Sequence, residues 1–250
     1  ALRCGAGLVT AAALAPAIEA LIIGARPELM VEPLDPGAWG ERPLGRADTL
    51  IVGPGLTRAA DRRELARLWR EDPRPAVWDA SSLDEIPARA PDDGEHLAAA
   101  RIITPHPGEA RRFLDRLGDA SARAIDVRNE RRAAARALAR LTGAIVVLKG
   151  AGTLVDDGSR LAVAVSGGPG LATAGSGDCL TGFIAALLAG PGGHADPFAA
   201  ACAGVHLHGV AGELAVADGS GAIALDIAGL AGAAKGAPLQ HPRWPRLRLN

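Results

Sequence analysis

The chain has 250 residues, of which 48% are hydrophobic and 22% are charged, a composition that predicts a globular protein with a large core and excludes a disordered chain. A formal net charge of -1, from 27 basic and 28 acidic residues, argues against a broad surface for nucleic acid or an anionic membrane. Three dispersed cysteines without a CxxC pair predict neither a disulfide framework nor a structural zinc site. No apolar run reaches the roughly 20 residues that span a bilayer, and the N-terminal residues lack the order of a signal peptide. We therefore expect a soluble, cytoplasmic protein with no membrane partner.

Short apolar runs alternate with helical stretches through the first 150 residues. The runs that we interpret as buried strands are 8–13, 50–52, 76–78, 101–103 and 144–148. The stretches with helical periodicity are 62–70, 108–117 and 127–141. This alternation predicts an α/β fold, in which helices cover a parallel sheet.

The pattern changes after residue 150. Residues 153–155 and 161–163 flank the turn-forming pair Asp157-Gly158, which predicts an antiparallel hairpin at the edge of the sheet. An apolar stripe then indicates a helix that begins near Asp178. Two more helices are predicted, from about 197 to 213 and from about 223 to 234. We expect one domain over residues 1–235 and a Pro/Arg-rich tail over 236–250.

A cluster of glycines, residues 167–178, stands directly before the first of these three helices. The first turn of a helix exposes unpaired N–H groups and partial positive charge, and glycines let phosphate oxygens approach closely. Gly175, Ser176 and Gly177 are therefore a candidate anion hole. Asp178, kept ionised by the helix dipole, could accept a proton from a hydroxyl beside the phosphate. The alternative is that Asp178 is only the N-cap of this helix.

Other loops follow strands, where open α/β sheets bind ligands at the carboxyl ends of the strands. Residues 149–153 could meet a phosphate through Lys149 and line a nucleotide with small residues, or could be a purely structural turn. Residues 104–109 present His106 on a rigid proline turn, and Glu109 could hold a metal-bound water. Alternatively, His106 is a surface residue and Glu109 a capping-box partner.

Three weaker candidates complete this survey. The turn at residues 52–56 brings a third glycine-bearing loop to the same edge. Asp79 is a further carboxylate there, although a solvated loop position is the commoner explanation. His206 and His208 are two residues apart on a predicted helix and face different sides, so we interpret them as packing or surface residues and expect no zinc.

Taken in order, these motifs resemble the ADP- or ATP-dependent NAD(P)H-hydrate dehydratases, a family with a ribokinase-like fold. The segments that carry the resemblance are 5–10, 52–56, 104–109, 147–153, 168–182 and 206–212. They extend over nearly the whole chain, from Gly5 to about Ile227. The Pro-His-Pro-Gly-Glu loop is the most specific, because it separates this family from other ribokinase-like proteins.

The resemblance implies a three-layer α/β/α fold with a mostly parallel central sheet, helices on both faces and an antiparallel hairpin at one edge. It implies a repair lyase that dehydrates the S form of hydrated NADH or NADPH, driven by cleavage of a phosphoanhydride of ADP or ATP. It also implies Mg²⁺, a homo-oligomer, expected to be a tetramer, and an NAD(P)H-hydrate epimerase as a partner. The family pattern has a glycine-containing first strand ahead of the residues matched here, so we expect neighbours of that strand position to lack a pairing partner.

Residue roles follow from the resemblance position by position. Asp178 would be the catalytic base and would contact the substrate together with Gly55 and His106. The transferred phosphoryl group would lie against Gly175, Ser176 and Gly177. The nucleotide would be lined by Lys149, Gly150, Ala151, Gly152, Thr153 and Gly177. Glu109 would order Mg²⁺ through water.

Two other functions remain open from the residues alone. A ribokinase-like kinase of a thiazole or pyrimidine alcohol would use the same anion hole and Asp178 but release a phosphorylated product. A non-catalytic nucleotide-binding subunit would bind nucleotide without turnover. The loop at His106 argues against the kinase.

Overall fold

The computed structural model describes residues 1–13, 16–34, 46–56, 62–87, 97–219 and 221–237. Its β-strands are β1 (Thr10–Ala13), β2 (Met30–Pro33), β3 (Leu50–Val52), β4 (Ala76–Trp78), β5 (Arg101–Ile103), β6 (Ile145–Leu148), β7 (Leu154–Asp156) and β8 (Leu161–Val163). Its α-helices are α1 (Pro16–Ala25), α2 (Arg62–Glu71), α3 (Pro107–Leu117), α4 (Ala120–Ala124), α5 (Arg131–Thr142), α6 (Ser176–Leu188), α7 (Pro191–Ala195), α8 (Pro197–Ala215), α9 (Ala224–Gly229) and α10 (Ala231–Gly236). Among these helices, none combines the length and apolar character needed to cross a membrane.

Strands β3 to β8 form a six-stranded sheet in chain order. The pairs from β3 to β6 are parallel, with Trp78 opposite Val52 on one side and Ile103 on the other. Strand β7 pairs antiparallel with both β6 and β8. Strands β7 and β8 must be antiparallel to each other, because the turn at residues 157–160 is too short for a crossover connection. The predicted hairpin at the sheet edge is therefore confirmed.

Alternate residues of the central strands enter two different cores. Val77, Ile102 and Val147 pack with residues of α6 and α8. Their neighbours in sequence, such as Trp78 and Ile103, pack on the other side with residues of α2, α3 and α5. Since successive side chains of a strand point to opposite faces, the sheet is covered by helices on both faces. This confirms the predicted three-layer α/β/α fold.

The first part of the chain departs from the prediction. The run at 8–13 was expected to be a buried strand, but β1 begins at Thr10 and, among the residues that the structure describes, pairs in parallel with β2 alone, in a separate two-stranded sheet. Leu8 is 78% exposed. An apolar run becomes buried only where another layer of the structure covers it. The residues of the run do not specify whether such a layer is present. Strand β3 stands at the edge of the larger sheet, and Ile51 on it is exposed.

Several helix boundaries also differ. Helix α5 begins at Arg131 and not at 127, because the Asp126 carboxylate accepts a hydrogen bond from the Arg128 N–H at 2.9 Å and holds a turn there. The helix predicted from 223 to 234 is two short helices, α9 and α10, which meet at Leu230. Helix α10 continues to Gly236, the first residue of the predicted tail; residues 238–250 lie outside the described residues.

Candidate active site

The loops after four neighbouring strands meet at one edge of the larger sheet. The Asp79 N–H donates to the Val52 carbonyl at 3.0 Å, which joins the ends of β3 and β4. The Thr104 N–H donates to the Trp78 carbonyl at 3.1 Å, and the Lys149 N–H donates to the Pro105 carbonyl at 2.9 Å. The predicted ligand loops are therefore side by side at the carboxyl ends of their strands.

Gly53 allows the turn after β3 to pack directly on the backbone of Asp79. Its φ is +125°, and a Cβ at this position would lie 1.7 Å from the Asp79 carbonyl oxygen and 2.6 Å from Ser82 Oγ. The Ser82 hydroxyl donates into the same turn, to the Val52 carbonyl at 2.9 Å. Gly55 also has a positive φ, +77°, but has open space around it. It is exposed and lies beyond this tight contact.

The first turn of α6 is capped by a glycine. Gly175, with φ +78°, is the N-cap residue and contributes no side-chain bond. This excludes the N-cap role for Asp178, which lies in the first turn. The Ser176 N–H donates to the Thr173 carbonyl at 3.2 Å, and the Cys179 N–H donates to the Gly175 carbonyl at 3.0 Å. Helix geometry leaves the N–H groups of Gly177 and Asp178 without an acceptor inside the helix, so these two groups can receive an anion.

The Ser176 side chain faces the interior and not the anion position. Its hydroxyl lies 3.2 Å from His208 Nε2, and both residues are buried. The imidazole of His208 also packs edge-to-face on Phe183, with ring centroids 5.5 Å apart. His208 was expected to be a packing residue. In the structure its imidazole also contacts the Ser176 side chain in the first turn of α6. The Ser176 hydroxyl is therefore engaged with His208, and the Ser176 N–H with the Thr173 carbonyl.

Burial gives His208 a measurable effect on acid stability. Desolvation lowers the pKa of His208 from 6.5 to about 4. Between these values the unfolded chain takes up a proton that the folded chain does not, so the folded state loses stability as the pH falls from 6.5 to about 4. The loss is about 3 kcal/mol for a difference of this size.

We expect His208→Asn to remove this dependence. In urea unfolding, the variant should be less stable than the unsubstituted protein near neutral pH, and the gap should shrink as the pH is lowered to about 4. A gap that stays constant over that range would show that His208 does not carry the dependence.

Lys149 lies at the centre of the site. Its Nζ donates to Asp79 Oδ1 at 2.9 Å and lies 3.9 Å from Glu109 Oε2. A Cβ built on Gly177 would be 3.2 Å from the same Nζ, so the ammonium group reaches the first turn of α6. The structure thus brings Lys149, Gly177 and Glu109 together, as well as Asp79, which sequence reasoning ranked low. The position of Asp79 directly after a strand was the feature of the sequence that could have indicated its place in the site.

Asp178 is exposed and lies close enough to this cluster to interact electrostatically with Asp79 and Lys149. Desolvation raises the pKa of the Asp178 carboxyl, the charge of Asp79 raises it further, and Lys149 opposes both. A raised pKa makes Asp178 a stronger base; that the helix dipole keeps it ionised stays a prediction. Asp178 also lines a cavity of about 370 Å³ together with Cys179 and Phe183, and neither Lys149 nor Asp79 lines it.

His106 and Glu109 form a capping box at the start of α3. His106 Nδ1 accepts hydrogen bonds from the N–H groups of Gly108 and Glu109, and Glu109 Oε2 accepts from the His106 N–H at 2.7 Å. The local alternative considered for this loop is therefore realised. Because Nδ1 is an acceptor, the ring proton lies on Nε2. The His106 side chain is 51% exposed, so its outer edge can still reach a ligand.

The loop after β6 is held by a residue that sequence reasoning missed. The Arg131 guanidinium donates to the carbonyls of Leu148 and Gly152, each at 3.2 Å, and to that of Ala151. Burial lowers the pKa of Arg131.

The Thr153 hydroxyl donates to the Gly150 carbonyl at 3.1 Å. These bonds fix residues 149–153, of which Gly150, Ala151 and Gly152 are exposed. Arg131 begins a helix after a charged turn, and nothing in that pattern indicates the contact.

No group of three or more metal-ligating side chains occurs within the described ranges. Glu109 brings one carboxylate, whose Oε1 lies 3.4 Å from His106 Nε2. One carboxylate fits Mg²⁺ held mainly by substrate phosphates and water, and does not fit a metal caged by protein ligands.

Comparisons with known proteins identify similar chains. A bifunctional NAD(P)H-hydrate repair enzyme of Vibrio cholerae is 41% identical over 212 residues, which cover 85% of this chain and 40% of that protein. An ADP-dependent (S)-NAD(P)H-hydrate dehydratase of Neisseria meningitidis is 37% identical over 199 residues, covering 77% of this chain and 62% of that protein. The chain therefore spans less than half the length of the bifunctional relatives that it matches.

Solved structures show the same fold. An ADP/ATP-dependent NAD(P)H-hydrate dehydratase of Bacillus subtilis, co-crystallised with ATP and Mg²⁺, superposes with a TM-score of 0.75 at 24% identity, covering 94% of this chain and 81% of that one. A ribokinase-like superfamily protein of Enterococcus faecalis gives a TM-score of 0.68 at 24% identity, covering 94% and 79%. The fold is ribokinase-like, as expected. The family model for NAD(P)H-hydrate dehydratase matches residues 1–228, and the chain belongs to that family.

Proposed function

We propose that this chain dehydrates the S form of hydrated NADH or NADPH and is driven by cleavage of ADP or ATP. One observation carries the proposal: the free first turn of α6, with Asp178 in it, lies against Lys149, whose ammonium group in turn reaches the His106-Glu109 loop. The candidate anion site, the candidate base and the family-specific loop therefore share one sheet edge, which supports the proposal. The name of the Neisseria relative supports the same substrate and the same co-substrate.

The chemistry assigned to the chain's own residues is a proton transfer followed by phosphoryl transfer. The Asp178 carboxylate accepts the proton of the ring hydroxyl, and the hydroxyl oxygen then attacks the terminal phosphorus of the nucleotide. The phosphoanhydride bond breaks, and AMP leaves from ADP or ADP leaves from ATP. Loss of phosphate and of a neighbouring ring proton then restores the dihydronicotinamide double bond. The N–H groups of Gly177 and Asp178 stabilise the charge on the transferred group.

The nucleotide and Mg²⁺ form part of the proposal. The nucleotide lies along residues 149–153, which Arg131 holds by their carbonyls, and its phosphates reach Gly177. Mg²⁺ would be held by these phosphates, with Glu109 accepting from one of its waters, and would supply neutralising charge. Gly55 and His106 contact the hydrated cofactor. Co-crystallisation of the Bacillus neighbour with ATP and Mg²⁺ supports the choice of these two ligands.

We expect the purified protein to regenerate reduced nicotinamide. Hydrated NADH or NADPH is incubated with ADP or ATP and Mg²⁺, and recovery of the reduced-nicotinamide absorbance is followed together with phosphate release. Recovery that needs both hydrate and nucleotide supports the proposal. Nucleotide cleavage that yields a stable phosphorylated alcohol, without recovery of absorbance, would instead support a small-molecule kinase.

We also propose that residues 1–235 act as one catalytic domain in a cytoplasmic homo-oligomer, a tetramer by family analogy, with an NAD(P)H-hydrate epimerase as partner. Contacts between the two ends support the single domain, since Lys235 Nζ donates to the Cys4 carbonyl at 2.5 Å. The oligomer is supported by helix α1, on which Ile18, Leu21 and Ile23 are exposed, because exposed apolar side chains that lie together often mark a protein–protein contact.

A further inference from the structure

Asp79, at the end of β4, is a buried carboxylate to which the mechanism above gives no role. It is 2% exposed. Its Oδ1 accepts from Lys149 Nζ at 2.9 Å, and its Oδ2 accepts from the Thr181 hydroxyl at 3.1 Å. A buried charge is costly unless it is paired and hydrogen-bonded. Both carboxylate oxygens meet this condition through residues on two other elements, the loop after β6 and helix α6.

The two hydrogen bonds to the Asp79 carboxylate lie next to the first turn of α6. A Cβ on Gly177 would be 3.2 Å from Lys149 Nζ and 3.7 Å from Asp79 Oδ2. The Thr181 hydroxyl also lies 3.0 Å from the Gly177 carbonyl oxygen. Because a hydroxyl has one proton, Thr181 shares it between Asp79 and the backbone of this turn. The Asp79 carboxylate is therefore connected to the residue next to Asp178 both through space and through Thr181.

We propose that Asp79 is a positioning residue for the phosphoryl-transfer step: it holds the Lys149 ammonium group beside the anion hole and, through Thr181, fixes the turn that presents Asp178. Asp79 does not touch the substrate in this role. The inference rests on the proposed function, since it concerns the same site.

The electrostatic arrangement gives the proposal a distinctive signature. After desolvation, the charge of Asp79 is the next influence that raises the pKa of Asp178, while Lys149 lowers it. Neutralising Asp79 and neutralising Lys149 should therefore move the Asp178 titration in opposite directions. Glu109 is the other charged group near Lys149. On the cavity side of Asp178, the charged or titratable residues are Arg3, Cys4, Arg26, Glu28 and Cys179; none of these is changed in the variants below.

The test compares Asp79→Asn with Lys149→Met. The pH dependence of kcat is measured for each, and the Asp178 carboxyl carbon is titrated by NMR with ¹³C-labelled aspartate, assigned by its loss in Asp178→Asn. We expect Asp79→Asn to move the acidic limb of the kcat profile and the Asp178 titration to lower pH, and Lys149→Met to move both to higher pH. Asp79→Asn should also lower kcat on the order of 10- to 100-fold, because the reacting groups are displaced.

Two further variants separate positioning from folding. Thr181→Val removes the hydroxyl and keeps the charge pair, so kcat should fall while the pH limb stays in place. Asp156→Asn is the matched control, since Asp156 is also buried and its two oxygens accept from Arg136 Nε at 2.8 Å. It pairs with Val146 in the sheet, away from the carboxyl end of β6. We expect it to lower stability and leave kcat and the pH limb unchanged.

Each outcome decides one of the two proposals. If Asp79→Asn and Lys149→Met leave the Asp178 titration unmoved, or move it in the same direction, the role of Asp79 is overturned. An unchanged kcat in Asp79→Asn would overturn it as well. The NMR titration needs no turnover, so it still reads the role of Asp79 if the unsubstituted protein fails to dehydrate hydrated NADH, a result that would reject only the proposed function.

Discussion

Asp178→Asn is expected to lower the dehydration kcat by roughly 10²- to 10⁴-fold, the usual contribution of a positioned general base. The amide cannot accept the proton of the ring hydroxyl, while the first turn of α6 and its N–H groups remain in place. Binding of ADP should be retained or strengthened, because a negative charge beside the phosphates is removed. Steady-state kinetics and calorimetric titration with ADP measure the two effects separately.

Asp115→Asn provides the control for this variant. Asp115 lies on α3, its side chain is 60% exposed, and it pairs with Arg111. Exposed pairs of this kind contribute little to stability, so this variant should match the unsubstituted protein in turnover and in stability. Unchanged turnover in Asp178→Asn, with normal nucleotide binding, would contradict the catalytic role and favour a non-catalytic nucleotide-binding subunit.

Gly53→Ala should have the largest effect on stability among the glycine substitutions near the site. The new Cβ would lie 1.7 Å from the Asp79 carbonyl oxygen, a backbone atom, so the turn and the end of β4 must separate. The positive φ adds strain that alanine tolerates poorly. Together these effects should cost about 3 kcal/mol or more of the free energy of unfolding. Urea unfolding measures the loss, and the displaced Asp79 should also lower kcat in the fraction that folds.

The matched control is Gly158→Ala in the hairpin turn between β7 and β8. Gly158 has a comparable positive φ, +90°, but no atom lies within 4 Å of the added Cβ. We expect a cost of about 1 kcal/mol, from backbone strain alone. Equal losses in the two variants would show that the contact with Asp79 is not the cause.

The positions of the candidate ligand loops could be predicted from residue patterns. Gly53, Thr104 and Lys149 each follow a short apolar run, and turn-forming residues mark the end of each strand. Alternation with helices makes these strands parallel, and parallel strands place their carboxyl ends at one edge. The hairpin and the start of the glycine-capped helix follow from local patterns in the same way, since turn chemistry and helix periodicity act over a few residues.

The side chains that support the candidate site could not be predicted in this way, because their contacts join residues that are far apart in the sequence. Asp79 is 70 residues from Lys149 and 102 from Thr181, and its burial depends on α6 covering the end of β4. A loop aspartate is commonly solvated, so its own neighbours in sequence could not indicate this. The contacts of Arg131 and His208 are of the same kind. The exposure of Leu8 and Thr10 was also decided at this level, because burial depends on the layers that cover a strand and not on the strand's own residues.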